Sequence, residues 1–157
     1  MRWLDADEMR AWRAYAETVV ELTAALENDL GRHDLTLGDY QVLVFLSEAD
    51  GQAMRMCDLA VRLQLSPSGL TRRLDGLVRA GLVARRPSDT DRRVMLAVLT
   101  GPGVATLERA APTHAASVRA HIFDRIDRGD VAALERIFTA IHAGLHADEE
   151  RRATLPR

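Results

Sequence analysis

Between Leu65 and Thr100 the chain carries a run of local signals that few folds satisfy together. Ser66 followed by Pro67 reads as a helix start. A serine side chain accepts one of the unpaired N–H groups of a first turn, and proline at the first helical position has no N–H to leave unpaired. Leu70, Leu74, Leu77 and Val78 then recur at helical spacing, and Gly81 stops the helix. Ser68, Gly69, Thr71, Arg72 and Arg73 fall on or near the other face. Leu82–Arg86 and Val94–Leu99 are strand-like; the second puts Val94, Leu96 and Val98 on one side and Met95, Ala97 and Leu99 on the other. Between them, residues 87–93 form a Pro/Ser/Asp turn cluster ending in Arg92 and Arg93.

A shorter helix at 57–64, with Leu59, Ala60 and Leu63 inward, precedes that stretch, and Gln64, Leu65 and Ser66 make the turn between the two helices. Two helices joined by so short a turn are a helix-turn-helix, whose second helix enters the DNA major groove by its N-terminal end. Arg can reach guanine O6 and N7 or a phosphate, and Ser and Thr suit phosphates or base edges. A two-stranded ribbon with a basic tip has the shape for a narrow, electronegative minor groove. Asp91 is a poor DNA contact and is expected to orient a neighbouring Arg by an ion pair.

A formal net charge of −2 argues against a polyanion binder only until it is divided along the chain. Residues 1–54 hold 4 Arg against 11 acids, residues 55–93 hold 9 Arg against 4, and residues 94–157 hold 8 of each. The middle third is a basic patch on an acidic body, and local charge is what DNA feels.

The flanks read as long helices. Trp12, Tyr15, Val19, Leu22, Leu26 and Leu30 step by three and four from Asp5 to Leu30, and Gly31 suits the C-terminal cap. A stripe of this kind serves core or dimer packing. Thr36 with Asp39 predicts a second helix, with Leu43 and Leu46 inward and a turn at Asp50 and Gly51. Cys57 stands where the cap of the third helix is expected. As a single cysteine it excludes an intrachain disulfide. Thr100 caps a fifth helix whose stripe is Val104, Leu107, Ala111, Val118, Ile122 and Ile126, with a bend expected at Pro112. Asp127 is expected to cap a sixth, with Val131, Leu134, Ile137, Phe138, Ile141 and Leu145 as its apolar face. No apolar run reaches the roughly 18 residues of a membrane span, and Met1 to Asp7 is charged, so no membrane association and a cytoplasmic location are expected.

The segment from Leu65 to Leu74 (LSPSGLTRRL), then Leu77-Val78-Arg79-Ala80-Gly81-Leu82-Val83, then Asp91-Arg92-Arg93 and Leu99-Thr100 with Gly103 beyond, resembles the MarR family of winged helix-turn-helix transcriptional regulators. The resemblance implies a mainly α fold of six helices with a small β wing. It divides the chain into dimerisation helices at 1–35 and 100–147, a DNA-binding domain at 36–99 and a charged tail at 148–157. It implies a homodimer on a pseudo-palindromic DNA operator, acting as a repressor released by a small aromatic or phenolic ligand. Carried over by position, Ser66, Ser68, Thr71, Arg72 and Arg73 belong to the recognition helix. Arg93 reaches the minor groove, with Arg86 and Arg92 beside it on the wing and Asp91 in support.

Trp12, Tyr15, His33 and Tyr40 offer aromatic surface and polar tips near the first two helices and are the candidate effector pocket. The peroxide-sensing branch of the family keeps a reactive Cys in the first helix, where this chain has none. His142 and His146 stand four apart on one helical face, with His114 and His121 on the preceding helix, but no compact third ligand is evident, so neither metal nor cofactor is expected. No phosphate loop, nucleophile elbow or His-Glu-x-x-His motif occurs, which speaks against an enzyme. The rival readings are a winged helix that binds protein instead of DNA, and a metal-responsive regulator.

Overall fold

The computed structural model describes residues 2–154, with side chains through residue 147. It divides into two compact units, Met1–Ser117 and Val118–Arg157. Helix α1 (Ala6–Leu30) opens with a reciprocal cap. The Asp5 carboxylate accepts the Asp7 and Glu8 N–H groups at 2.9 Å, and Glu8 Oε2 accepts the Asp5 N–H at 2.9 Å. At its far end Gly31 takes the cap position in right-handed geometry (φ −56°), without the left-handed turn a capping glycine usually supplies. The chain tightens instead into a 3-10 turn, Gly31–His33, and the left-handed residue is Asp34 (φ 57°). The α1 stripe is buried progressively: Leu30 fully, Leu22 and Leu26 partly, while Val19, Tyr15 and Trp12 are exposed.

Helix α2 (Leu37–Ser47) starts as the sequence requires, with Thr36 Oγ1 accepting the Asp39 N–H (3.1 Å) and Asp39 Oδ2 accepting the Thr36 N–H (3.2 Å). It buries Val42, Leu43 and Leu46. After a left-handed Gly51 (φ 63°) comes a strand that the sequence pattern does not announce, β1 (Ala53–Arg55). Helix α3 (Met56–Arg62) follows without a side-chain cap. Arg55 holds the cap position, so Cys57 lies inside the first turn, exposed, with its thiol 3.4 Å from Asp58 Oδ1.

Helix α4 (Pro67–Arg79) is capped by Ser66 Oγ, which accepts the Gly69 N–H at 3.1 Å, and Leu70, Leu74 and Leu77 are buried on its inner face. Strands β2 (Val83–Pro87) and β3 (Met95–Leu99) form the ribbon. The antiparallel sheet has the order β1-β3-β2, with Ala53 opposite Val98 on one side and Arg85 opposite Ala97 on the other. Of the two faces expected for β3, the inward one carries Ala97 and Leu99, both buried, and Met95 emerges at the wing end.

Helix α5 (Gly101–Val118) is tied to the end of α4 by Thr100, whose Oγ1 donates to the Gly81 carbonyl (2.6 Å) and accepts the Gly103 N–H (3.1 Å). It runs through Pro112 without interruption, and the departure from α geometry falls later, in a π-helical turn at Arg119–Phe123. Its most buried residues are Gly103, Thr106, Ala110 and Ser117, one position away from the apolar stripe at 104, 107, 111 and 118, which is only partly covered. Small residues let the backbone come close. A Cβ at Gly103 would overlap the Leu82 carbonyl oxygen and lie 2.7 Å from Leu99 Cδ1. Gly103→Ala is therefore expected to cost about 1–3 kcal/mol through overpacking. In a chain of this size that lowers the thermal midpoint by roughly 2–10 °C. A midpoint equal to that of the unmutated protein would remove the claim of close approach.

In the second unit Asp127 does not cap the sixth helix. It precedes a 3-10 turn, Arg128–Asp130, with its carbonyl accepting the Asp130 N–H (2.9 Å), and α6 (Val131–Thr154) begins afterwards. Helix α6 continues past Ala147; the side chains of the expected charged tail, 148–157, lie outside the described residues. Its apolar residues Ile137, Phe138, Ile141 and Leu145 are 47–65% exposed. Among the described residues no helix is long and apolar enough to cross a membrane.

Candidate nucleic-acid interface

Of the nine arginines of the basic middle third, Arg72, Arg73, Arg85, Arg86, Arg92 and Arg93 lie on α4 and the wing, and the fold sorts these six into two groups. Arg73 leans back onto α2: its Nη1 donates to Thr36 Oγ1 (3.1 Å) and faces Asp39 Oδ1 (3.5 Å). Gly38 lies under that guanidinium, which a Cβ there would overlap. Arg86 pairs with Asp89 Oδ2 at 2.9 Å, within the wing. Arg85 reaches across to α4, with Nη1 on Asp75 Oδ1 and Nη2 on the Thr71 carbonyl, both at 2.8 Å. Arg72, Arg92 and Arg93 are exposed, and among the described residues their guanidinium groups form no ion pair or hydrogen bond.

Of the site residues read from the sequence, Ser66, Ser68, Thr71 and Arg72 share the exposed N-terminal half of α4. Their hydroxyls already have local duties: Ser66 and Ser68 lie 3.1 Å apart, and Thr71 Oγ1 donates to the Pro67 carbonyl at 2.9 Å. Each keeps lone pairs for a donor from outside. Arg73 and Arg86 are placed differently from their neighbours, since a carboxylate closes each. Asp91 corrects the ion-pair expectation. Its Oδ1 accepts the backbone N–H of Arg93 (3.0 Å) and its carbonyl accepts the Val94 N–H (2.9 Å), an Asx-type turn, while the ion pair at the tip belongs to Asp89. Arg85 and Asp75 escaped the sequence reading. Strand alternation was the signal for Arg85, because it shares a side of β2 with buried Val83.

The four candidate pocket residues are not brought together. Trp12 and Tyr15 form one aromatic pair, ring centroids 5.8 Å apart, at the exposed end of α1. His33 and Tyr40 lie beyond its other end, past the 15 residues from Tyr15 to Leu30, about 22 Å of helix. There they meet α5. His33 Nε2 shares a 2.8 Å hydrogen bond with Thr113 Oγ1, and the Tyr40 and His114 rings lie with centroids 4.5 Å apart, tilted by 45°. Ser117 Oγ donates to Asp29 Oδ2 at 2.7 Å along the same seam. Burial raises the Tyr40 hydroxyl above its ordinary pKa and lowers the His114 imidazole below its own, so that at neutral pH both are uncharged. His114 Nδ1 is buried with no hydrogen-bond partner among the described residues. On α6, His142 and His146 approach Nε2 to Nε2 at 3.0 Å, and among the described residues no three His, Cys, Asp or Glu side chains converge as a metal site.

Helix-turn-helix, three-stranded sheet with wing, and flanking long helices define a winged helix-turn-helix protein. A sequence profile described as MarR family matches residues 33–94. The chain is similar to AbsC, a MarR family transcriptional regulator from Streptomyces coelicolor, with 40% identity, a TM-score of 0.88, and coverage of 94% of this chain and 99% of that one. It is also similar to Sco3205, a MarR family transcriptional regulator from the same organism solved in complex with DNA, with 33% identity, a TM-score of 0.88, and coverage of 92% and 91%. The HTH-type transcriptional repressor YetL of Bacillus subtilis (strain 168) is 27% identical over 117 residues, which is 74% of this chain and 70% of YetL. The chain belongs to the MarR family of transcriptional regulators.

Proposed function

We propose that the chain binds double-stranded DNA as a homodimer, each copy laying α4 in a major groove and its wing along the adjacent minor groove of a pseudo-palindromic operator. It represses transcription there until a small aromatic or phenolic ligand binds. One observation carries the DNA reading. Arg72, Arg92 and Arg93 stand exposed on the helix and the tip, without an ion pair or hydrogen bond from their guanidinium groups among the described residues, while Arg73, Arg85 and Arg86 are closed by Asp39, Asp75 and Asp89. Adjacent unpaired cations repel one another in water and gain most when they displace counterions from a polyanion. The DNA complex of Sco3205 and the repressor designation of YetL support the same reading by similarity.

The exposed apolar faces of α1 and α6 support the dimer, which sets two half-sites about one helical turn, roughly 34–36 Å, apart. The seam of His33, Tyr40, Thr113 and His114 supports the ligand. A phenol or carboxylic acid there could donate to His114 Nδ1, and by linkage it would weaken DNA binding by the factor that DNA weakens its own.

Selection of bound sequences from a random duplex library, by the unmutated protein and by Arg72→Ala, tests the DNA reading. Arg72 on a base edge costs about 1–3 kcal/mol on removal and relaxes preference at one position of each half-site. Arg72 on a phosphate weakens all sequences alike and lowers the salt slope by about 1 per protomer. A variant that keeps both affinity and slope removes Arg72 from the interface, and a protein that enriches no sequence removes the function.

A further inference from the structure

We infer that Arg85 is a positioning residue for DNA reading, which locks the wing to the recognition helix, and that Asp75 is its partner and not a DNA contact. The inference rests on the DNA-binding reading above and asks what holds the two reading elements in register.

Arg85 follows Val83 by two on β2, so both point towards α4. Val83 is 2% exposed, and the longer Arg85 extends past it to the outer side of the helix. There it takes two acceptors at 2.8 Å, the Thr71 carbonyl and the Asp75 carboxylate. These residues are four apart, one turn, about 6 Å along the axis. A planar guanidinium with donors on separate nitrogens can hold both at once, whereas a lysine ammonium centres on one. The contact also carries a cost: Nε is buried without a hydrogen-bond partner among the described residues, and that desolvation is offset by the bonds at Nη1 and Nη2.

The bridge lies where it matters for geometry. Thr71 adjoins Arg72, and β2 runs straight into the tip that carries Arg92 and Arg93, so the contact sets the separation between the unpaired cations of the helix and those of the wing. Asp75 also continues the exposed line of Ser68, Thr71 and Arg72. A bare carboxylate there would repel phosphates, and Arg85 neutralises it.

Charge alone and positioning predict different ratios for one substitution. If only charge counts, Asp75→Asn removes a negative charge and tightens every duplex, leaving the ratio of selected to unrelated DNA unchanged. If the bridge positions the wing, Asp75→Asn and the charge-conserving Arg85→Lys both lower that ratio. The measurement uses the full chain, the duplex that the unmutated protein selects from a random library, and an unrelated duplex of equal length at one salt concentration. Thermal midpoints are recorded alongside. The expected result is affinity for the unrelated duplex within about twofold or tighter, and a specificity ratio roughly tenfold lower in each variant, the size of one lost charge-assisted hydrogen bond. A ratio unchanged in either variant overturns the inference, as does one that falls only in step with the thermal midpoint. If the unmutated protein selects no sequence, the DNA reading itself has failed and the inference goes with it.

Discussion

Replacing Ile141 by Asp is expected to leave the DNA-binding core folded and the protein monomeric. Ile141 is 52% exposed in the single chain and sits on α6 with Ile137, Phe138 and Leu145, spaced three and four apart. In the proposed homodimer a second copy covers this apolar face, and two-fold symmetry places each substituted residue in the interface twice over. Burying a carboxylate without a partner costs several kcal/mol, so the dimer dissociation constant should rise by about a thousandfold or more. A monomer also loses the effective concentration that ties its second half-site, and operator affinity should fall by roughly 10²–10⁴. Sedimentation gives the mass and a binding titration gives the affinity. A dimer of unchanged mass would show that the α6 face is not the interface.

Arg93→Ala is expected to weaken operator binding about 10- to 100-fold in a dimer that loses one cation from each wing. The slope of log affinity against log salt should become shallower by roughly 2, since each lost phosphate contact contributes about 0.9. The substitution isolates the guanidinium. The bond that shapes the tip uses the Arg93 backbone N–H and Asp91 Oδ1, at 3.0 Å, and alanine preserves it. Affinity and slope both equal to those of the unmutated protein would take the wing out of the interface.

Local chemistry made most of this architecture legible. Thr36 with Asp39, Ser66 with Pro67, and the leucine spacing of α4 each act within one turn of chain, and each appears where the pattern put it. Features that depend on partners far along the chain were not legible. Strand β1 is three residues long and exists because β3 offers it an edge, so no periodicity marks it. The buried line of α5 follows Gly103, Thr106, Ala110 and Ser117 because close approach selects small side chains, which a search for apolar ones passes over. Asp127 resembles a cap in sequence, but the 3-10 turn after it takes up the chain before α6 begins. In the candidate interface the arginines could be found but not sorted. Whether one faces DNA or a carboxylate depends on Asp39, 34 residues from Arg73, and on Asp75, ten residues from Arg85. The candidate effector residues separated for the same reason: His33 and Tyr40 are completed by Thr113 and His114, from a helix that begins after the wing.

The guanidinium of Arg73 above Gly38 also couples these two positions as this surface changes over evolutionary time. While the Arg73 guanidinium keeps this position, a side chain at 38 overlaps it, so a substitution at 38 re-aims the flexible end of Arg73 and loosens its contact with Thr36 and Asp39. A smaller residue at 73 empties the space and leaves 38 open to substitution. A side chain gained at 38 thus changes where the 73 guanidinium points, and the two positions should drift as a pair.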